Sequence, residues 1–298
     1  MWHLVNLGNR VRAAIRARFV RVVDEVVTRH RRDLEDALAK HQRELEVSFT
    51  AHQQAWEATL TAHRQELRAT LTEQIDQVIR AVHEVEFRSR RDLWAAGERE
   101  AAESSARFAR ELMPTASVFD NPIATLEHAL SLAPAGGMAL EFGVYEGRTL
   151  RVIAAARCNK QVFGFDSFQG LPEDWRSGLP AGTFATDNLP EIPGAELVVG
   201  LFGDTLPDFL ADHPDPVSFL HVDADLYSSA VTVFTHVGPR LRPGSVIVFD
   251  EYFNYPGWQR HEHRAWQEFV AASALEFEYV AYTGNNEQVA VVVTKVAP

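Results

Sequence analysis

With one cysteine in 298 residues, Cys158 has no partner for an internal disulfide, and the chain fits a reducing compartment. Uninterrupted apolar runs of transmembrane length are missing, and the first residues lack the apolar stretch of a secretory leader, so the chain reads as cytoplasmic. Basic residues are few: 29 Lys and Arg against 41 Asp and Glu give a net charge of −12, which argues against general nucleic-acid binding. Glycine and proline are absent from Asn9 to Ala96, so one helix of many turns is permitted there. The shortage of positive charge is uneven. Residues 1–32 hold eight Arg against Asp24 and Glu25, a local +6 that leaves −18 on the remainder.

What the first third does contain is a repeat. From His30 the chain reads HRRDLEDALAK, HQRELEVSFTA, HQQAWEATLTA, HRQELRATLTE and QIDQVIRAVHE, which covers residues 30–84 without an insertion. Large apolar residues recur at Leu34, Leu45, Trp56, Leu67 and Val78, and again at Leu38, Phe49, Leu60, Leu71 and Val82; Val23 and Val27 continue both series upstream. Eleven residues per repeat is about 3.67 per turn, which favours a nearly straight or right-handed supercoil. A long helix with one apolar stripe must bury it, most simply against its own copy. The stretch therefore predicts a coiled coil over residues 30–96 and a homo-oligomer, and at about 1.5 Å per residue the five repeats reach roughly 80 Å. His30, His41, His52 and His63 open four successive repeats. Three turns apart, they lie too far from one another to share a metal on one helix, and they read as half-buried rings copied with the repeat. Over residues 1–29, Trp2, Leu4, Val5, Leu7, Val11, Ile15, Phe19 and Val22 interleave with arginines. Such a basic amphipathic helix suits either an anionic membrane surface, at the inner face, or a solvated continuation of the coil.

The eleven-residue pattern stops after Ala96, and Gly97, Ser104, Ser105 and Pro114 read as a linker over 97–118, ahead of a domain at 119–298. Asp120 and Pro122 start a short helix to about Ala133. Strands near 138–142, 161–165, 196–200, 217–222, 245–249, 275–281 and 288–294 then alternate with helices near 147–157, 204–211, 227–240 and 258–271. That alternation predicts an α/β domain with a seven-stranded, mostly parallel sheet, helices on both faces and ligands at the carboxyl ends of the strands. The short connection from Thr283 to Glu287 makes the last two strands an antiparallel hairpin. Ser167 to Ala195, with many Gly and Pro and no period, has the length of a lid or binding loop.

Chemistry concentrates at the strand ends. In ALEFGVYEGRT, residues 139–149, a strand turns into a helix at Gly143 and Gly147, where a missing Cβ permits positive φ and lets a ligand approach the backbone. The spacing, acid-x-Gly-x-x-x-Gly, lacks the central glycine of the dinucleotide fingerprint, which disfavours a dehydrogenase. Asp166 ends the next strand about 20 residues on, where a carboxylate can accept both hydroxyls of a ribose. Asp223 and Asp225 follow the fourth strand, and Asp250 and Glu251 follow the fifth. Carboxylates crowded at neighbouring strand ends repel unless a hard cation joins them, so Asp223, Asp250 and Glu251 are the set for Mg²⁺ or a similar ion such as Mn²⁺, with Asp225 placed to accept a proton from a hydroxyl. Tyr252, Phe253, Tyr255 and Trp258 offer aromatic faces for an acceptor to stack on, and His261 or His263 can contact its polar groups.

Residues 117–298 resemble a class I S-adenosylmethionine-dependent methyltransferase, and within that class the macrocin O-methyltransferase family, whose members methylate sugar hydroxyls with Mg²⁺. The resemblance rests on EFGVYEGRT at 141, FGFDSFQGLPEDW at 163, GLFGDTLP at 200, HVDADLYSS at 221 and VIVFDEYF at 246. It implies a Rossmann-like domain preceded by the coil, and S-adenosylmethionine as cofactor. Glu141, Gly143, Tyr145, Gly147 and Thr149 would then surround the methionine end and Asp166 the ribose, while Ser167, Phe168, Asp204 and Thr205 would lie beside the adenine. Asp223, Asp250 and Glu251 would hold the metal, with Asp225 as the base and Asp223 beside it as a further catalytic residue. The sequence departs from the family in having Asp250-Glu251 where Asp-Asp is usual, and Ala224 where glycine is common. The acceptor implied is a glycosyl hydroxyl of a polysaccharide, glycolipid or glycosylated metabolite. A catechol O-methyltransferase would use the same metal logic, and a non-catalytic coiled-coil scaffold remains a third possibility.

Overall fold

The computed structural model describes residues 2–158 and 161–296, with side chains from residue 12 onward. The chain divides into two compact units, Met1–Glu86 and Phe87–Pro298.

Helix α1, Trp2–Arg91, runs through every repeat without a break. In the first unit both apolar series are open to solvent, with Phe49 at 72% and Trp56 at 66% exposure. His30, His41, His52 and His63 are exposed as well on the single helix. They sit beside the apolar stripe rather than in it; the His52 ring lies 2.8 Å from the Ser48 carbonyl oxygen one turn back. The side chains of Trp2, Leu4, Val5, Leu7 and Val11, expected to continue the amphipathic face, lie outside the described residues.

In the second unit, Asp92 breaks α1 with extended backbone and caps α2, Leu93–Leu112, by accepting from the N–H groups of Trp94 and Ala95. The linker expected over 97–118 is therefore mostly helix. Its small residues are packing residues: Ala101, Ser105 and Ala109 are buried, and the place of a Cβ on Gly97 lies against Pro256. Ser105 Oγ accepts from Asn254 N at 2.8 Å and Ser104 Oγ from Trp258 Nε1 at 3.2 Å. Phe108 packs edge-on against Trp258, His263 and Tyr279.

After α2 come β1 Ser117–Phe119, α3 Pro122–Leu132, β2 Met138–Phe142, α4 Arg148–Ala156, β3 Val162–Asp166, β4 Glu196–Val199, α5 Phe202–Asp212, β5 Val217–Val222, α6 Tyr227–Val237, β6 Leu241–Phe249, α7 Glu262–Ser273, β7 Glu276–Thr283 and β8 Val289–Lys295. One sheet results, in the order β1-β7-β8-β6-β5-β2-β3-β4. Only β8 runs antiparallel to its neighbours. The seven expected strands are all there; the eighth, β1, adds a parallel edge to β7 and is too short to carry a period. Both faces of β2 and β5 are buried, which is why each reads as an unbroken apolar run.

The register sets up everything that follows. Phe165, Phe142, Val222 and Phe249 pair in one row across β3, β2, β5 and β6. The next residue on each strand is Asp166, Gly143, Asp223 or Asp250, so these four emerge side by side at the carboxyl edge. The chain reverses its direction of travel across the sheet at β2, and the crevice between β2 and β5 is where such sheets hold ligands.

Candidate active site

A cavity of about 450 Å³ opens at that crevice. Gly143, Tyr145, Asp166 and Ser167 line it on the β2–β3 side, and Asp223, Asp225, Asp250 and Glu251, after β5 and β6, make an acidic end, with Phe202, Leu171 and Phe184 among the apolar wall residues.

The turn after β2 is built by Asp166. One of its carboxylate oxygens accepts from Val144 N at 2.9 Å and Tyr145 N at 2.8 Å, and the other from Phe168 N at 2.7 Å. The second oxygen, with one donor, keeps capacity for a further hydroxyl. Tyr145 takes a positive φ of 46° in this turn. Gly143 (φ 96°) is required by contact: a Cβ there would overlap the backbone oxygen of Asp223. A Cβ on Gly147 would run into Ile192, so this glycine seats the long loop rather than a ligand.

Several sequence expectations land elsewhere. Glu141 is sealed inside the sheet, its Oε1 2.8 Å from His221 Nδ1, and is absent from the cavity wall. Glu141 and His221 are register partners on β2 and β5, two residues before the edge, so their side chains meet on one face of the sheet. Phe168 is buried, Thr149 sits in the first turn of α4, and neither they nor Asp204 and Thr205 line the cavity; Gly200, Leu201, Phe202 and Gly203 stand at that place instead. Tyr252, Trp258 and His263 belong to the core against α2: the Tyr252 hydroxyl pairs with that of Tyr279 at 2.7 Å, and burial pushes His263 down to about 4. Of the six residues named for substrate contact, Tyr255 and His261 stand by the loop, each with its ring beside Trp175.

At the acidic end, Asp223, Asp225 and Glu251 each offer an oxygen within 4.8 Å of the other two. This trio differs from the expected Asp223, Asp250 and Glu251. Asp250 lines the cavity too, but its Oδ1 accepts from Gln288 Nε2 at 3.2 Å and lies 3.8 Å from His221 Nε2. Asp225 is brought inward by a left-handed backbone, φ 58°. Burial first, then the charge of Asp250, pushes Asp225 up to about 7, with Arg176 opposing. Asp223 and Glu251 are raised well above the carboxylate range by burial and by neighbouring carboxylates, Asp250 first. Glu251 Oε2 is buried without a hydrogen-bond partner among the described residues. Crowded, desolvated oxygens of this kind fit a hard divalent cation.

Glu262, which sequence reading missed, joins the two acidic turns. Its Oε1 accepts from Ala224 N at 3.0 Å and its Oε2 from Glu251 N at 3.3 Å, with the side chain fully buried. An acid in the first turn of a helix reads as a partner of the helix dipole, which hides this role. Within the loop 167–195, Leu171 N donates to Thr183 O and Gly182 N back to Leu171 O, while Ser228 Oγ donates to Glu173.

Residues 140–252 match a family model described as a methyltransferase domain. Among solved structures, the chain is similar to the calicheamicin methyltransferase CalS11 (23% identity, 57% of this chain and 79% of that one, TM-score 0.47). It is also similar to the O-methyltransferase NovP (23%, 58% and 79%, TM-score 0.45), and to an O-methyltransferase from Bacillus cereus in complex with SAH (18%, 67% and 91%, TM-score 0.42). No curated protein sequence matches the chain.

Proposed function

We propose that this chain, whose residues 140–252 form a methyltransferase domain of the class I S-adenosylmethionine-dependent kind, methylates a sugar hydroxyl with the help of a divalent cation such as Mg²⁺. The observation that carries this reading is the convergence of Asp223, Asp225 and Glu251 within 4.8 Å in a cavity that Asp166 and the Gly143 turn also line. Asp166, with a carboxylate oxygen to spare, suits the ribose; Tyr145, Leu201 and Phe202 give the cofactor apolar walls.

The sulfonium is already activated, so the protein's task is alignment and removal of one proton. Asp223, Asp225 and Glu251 would hold the cation, which when bound lowers the pKa of a coordinated hydroxyl and fixes its direction. Asp250 and Glu262 shape that end of the cavity. Asp225, brought inward by its left-handed backbone, would offer its second carboxylate oxygen to the proton of the attacking hydroxyl. The loop 167–195 contributes Leu171, Pro172 and Phe184 to the wall and keeps water from the transfer.

The stalk serves oligomerisation: its apolar stripe is exposed on a single helix, and each large side chain buried against a second copy contributes about 1.5–3 kcal/mol. Its basic start, read from the sequence, suits an anionic membrane surface and so favours glycolipids or growing polysaccharides as acceptors. Among the described residues, no helix is long and apolar enough to cross a membrane.

Calorimetric titration of the full-length protein with S-adenosylhomocysteine, with Mg²⁺ and after chelation, tests the cofactor and cation together; methyl transfer to glycosyl acceptors and to catechols tests the acceptor class. Turnover of catechols with no sugar methylated would overturn the sugar reading. Asp225→Asn should cut turnover by about 10²–10⁴-fold with cofactor affinity kept, and near-normal turnover would remove Asp225 as the base.

A further inference from the structure

Arg176, on the 167–195 loop, is held more firmly than a surface arginine and used less completely than a structural one. Its guanidinium carbon lies 4.0 Å from the centre of the Trp175 ring and 4.7 Å from that of Tyr255, so the group is fixed against two aromatic side chains. Its acceptor among the described residues is Glu287, and both contacts use Nη1, at 3.3 and 3.4 Å. Charge-assisted pairs of this kind normally close to about 2.7–2.9 Å. Nε and Nη2, which carry the other N–H donors, have no acceptor among the described residues. The side chain is 27% exposed. Its positive field is felt at Asp225, at the acidic end of the cavity, and at His261 beside it.

Two further facts say what this arginine is for. The end of the cavity nearest to it holds Asp223, Asp225, Asp250 and Glu251, a setting that repels an anionic acceptor unless a cation stands at the rim. Glu287 is a poor permanent partner: burial pushes it up to about 7 against the pull of Arg176, so near neutral pH a good share of it is uncharged.

We infer that Arg176 is a receptor for an anionic group, phosphate or carboxylate, on the sugar acceptor, setting the hydroxyl to be methylated beside Asp225. The planar fork suits both anions bidentately, and the two aromatic contacts fix its plane before the ligand arrives. This inference rests on the sugar-hydroxyl reading given above.

The test is calorimetric titration of the full-length protein, saturated with S-adenosylhomocysteine and Mg²⁺, with glucose 1-phosphate, glucuronate and methyl glucoside. At least one anionic sugar should bind about tenfold or more tightly than the neutral one, a difference of about 1.4 kcal/mol, and which of them does so separates phosphate from carboxylate. Arg176→Gln should abolish the preference and leave the affinity for S-adenosylhomocysteine unchanged. Glu287→Gln should preserve or sharpen it, because a competing carboxylate is removed. Equal binding of all three probes, no binding of either anionic sugar, or a preference that survives Arg176→Gln would overturn the inference. So would an equal loss in Glu287→Gln, which would make the pair a clasp for the loop. Sugar methylation that continues without any anion preference sinks this inference alone, whereas methylation of catechols and no sugar sinks the reading beneath it.

Discussion

His221 Nδ1 lies 2.8 Å from Glu141 Oε1, with both side chains closed to solvent beneath the acidic end of the cavity. Burial pushes the histidine pKa down, but the hydrogen bond and charge of Glu141, followed by the charge of Asp250, raise it overall above its ordinary 6.5. A raised histidine pKa stabilises the fold fully below the unfolded value, and the contribution is lost as pH climbs through the folded value. Glu141→Gln keeps the shape and removes the charge, and should cost about 1–3 kcal/mol. Urea unfolding on either side of pH 6.5 should find the deficit largest on the acid side and narrowing as pH rises; a deficit independent of pH would mean that the histidine is neutral throughout.

Glu262 offers a sharper test of how the cation site is assembled. Its two oxygens serve two backbone N–H groups on two different turns. Glutamine keeps one acceptor oxygen and turns an NH₂ toward the other N–H, so one turn must swing away. Partners of this kind behind a metal site are worth about 10–100-fold in affinity or activity. Glu262→Gln should lose that much Mg²⁺ affinity by calorimetry with S-adenosylhomocysteine binding retained, and an unchanged Mg²⁺ affinity would reduce Glu262 to a packing residue.

Much of this site was legible because strand register is written in apolar runs. Once FGFD, LEFG, FLHVD and VIVFD are recognised as strands of one parallel sheet, Asp166, Gly143, Asp223 and Asp250 must surface together, and they do. What sequence could not supply was direction. Glu141 lies two residues before the edge, directly across from His221 on β5, and that buried partner takes its carboxylate. The choice of Asp225 over Asp250 within the close trio depends on one left-handed residue, which no pattern announces. Trp258 and His263 looked like binding residues only because α2 was hidden in a stretch that its glycine and serines made look like linker.

That helix makes its own prediction. Ser104, Ser105 and Phe108 hold the segment 252–258 directly after Asp250 and Glu251. A chain starting at Asp92 keeps these contacts and the cap of α2, and should fold and bind S-adenosylhomocysteine like the full protein. A chain starting at Pro114, the boundary that composition alone suggests, uncovers Tyr252, Trp258 and Tyr279. At about 1.5–3 kcal/mol for each large side chain exposed, it should melt far lower or aggregate. Equal melting temperatures for the two would show that α2 is dispensable.

The stalk can be judged apart from catalysis. Phe49 and Trp56 project from α1 at 72% and 66% exposure, one from each apolar series. If the stripe is the contact between copies, Phe49→Asp combined with Trp56→Asp puts two carboxylates into the seam, where desolvating each without a partner costs several kcal/mol. Sedimentation equilibrium should then find the wild type as an oligomer and the double variant as a monomer, with equal turnover on a small glycosyl acceptor. On vesicles of anionic lipid the variant should bind more weakly, because each copy then brings a single basic segment to the surface and loses the gain from linked sites. Deleting residues 1–32 should abolish flotation without changing the oligomeric state. Loss of oligomerisation on that deletion would instead place the contact between copies at the basic end, and a monomeric wild type would end the self-association reading.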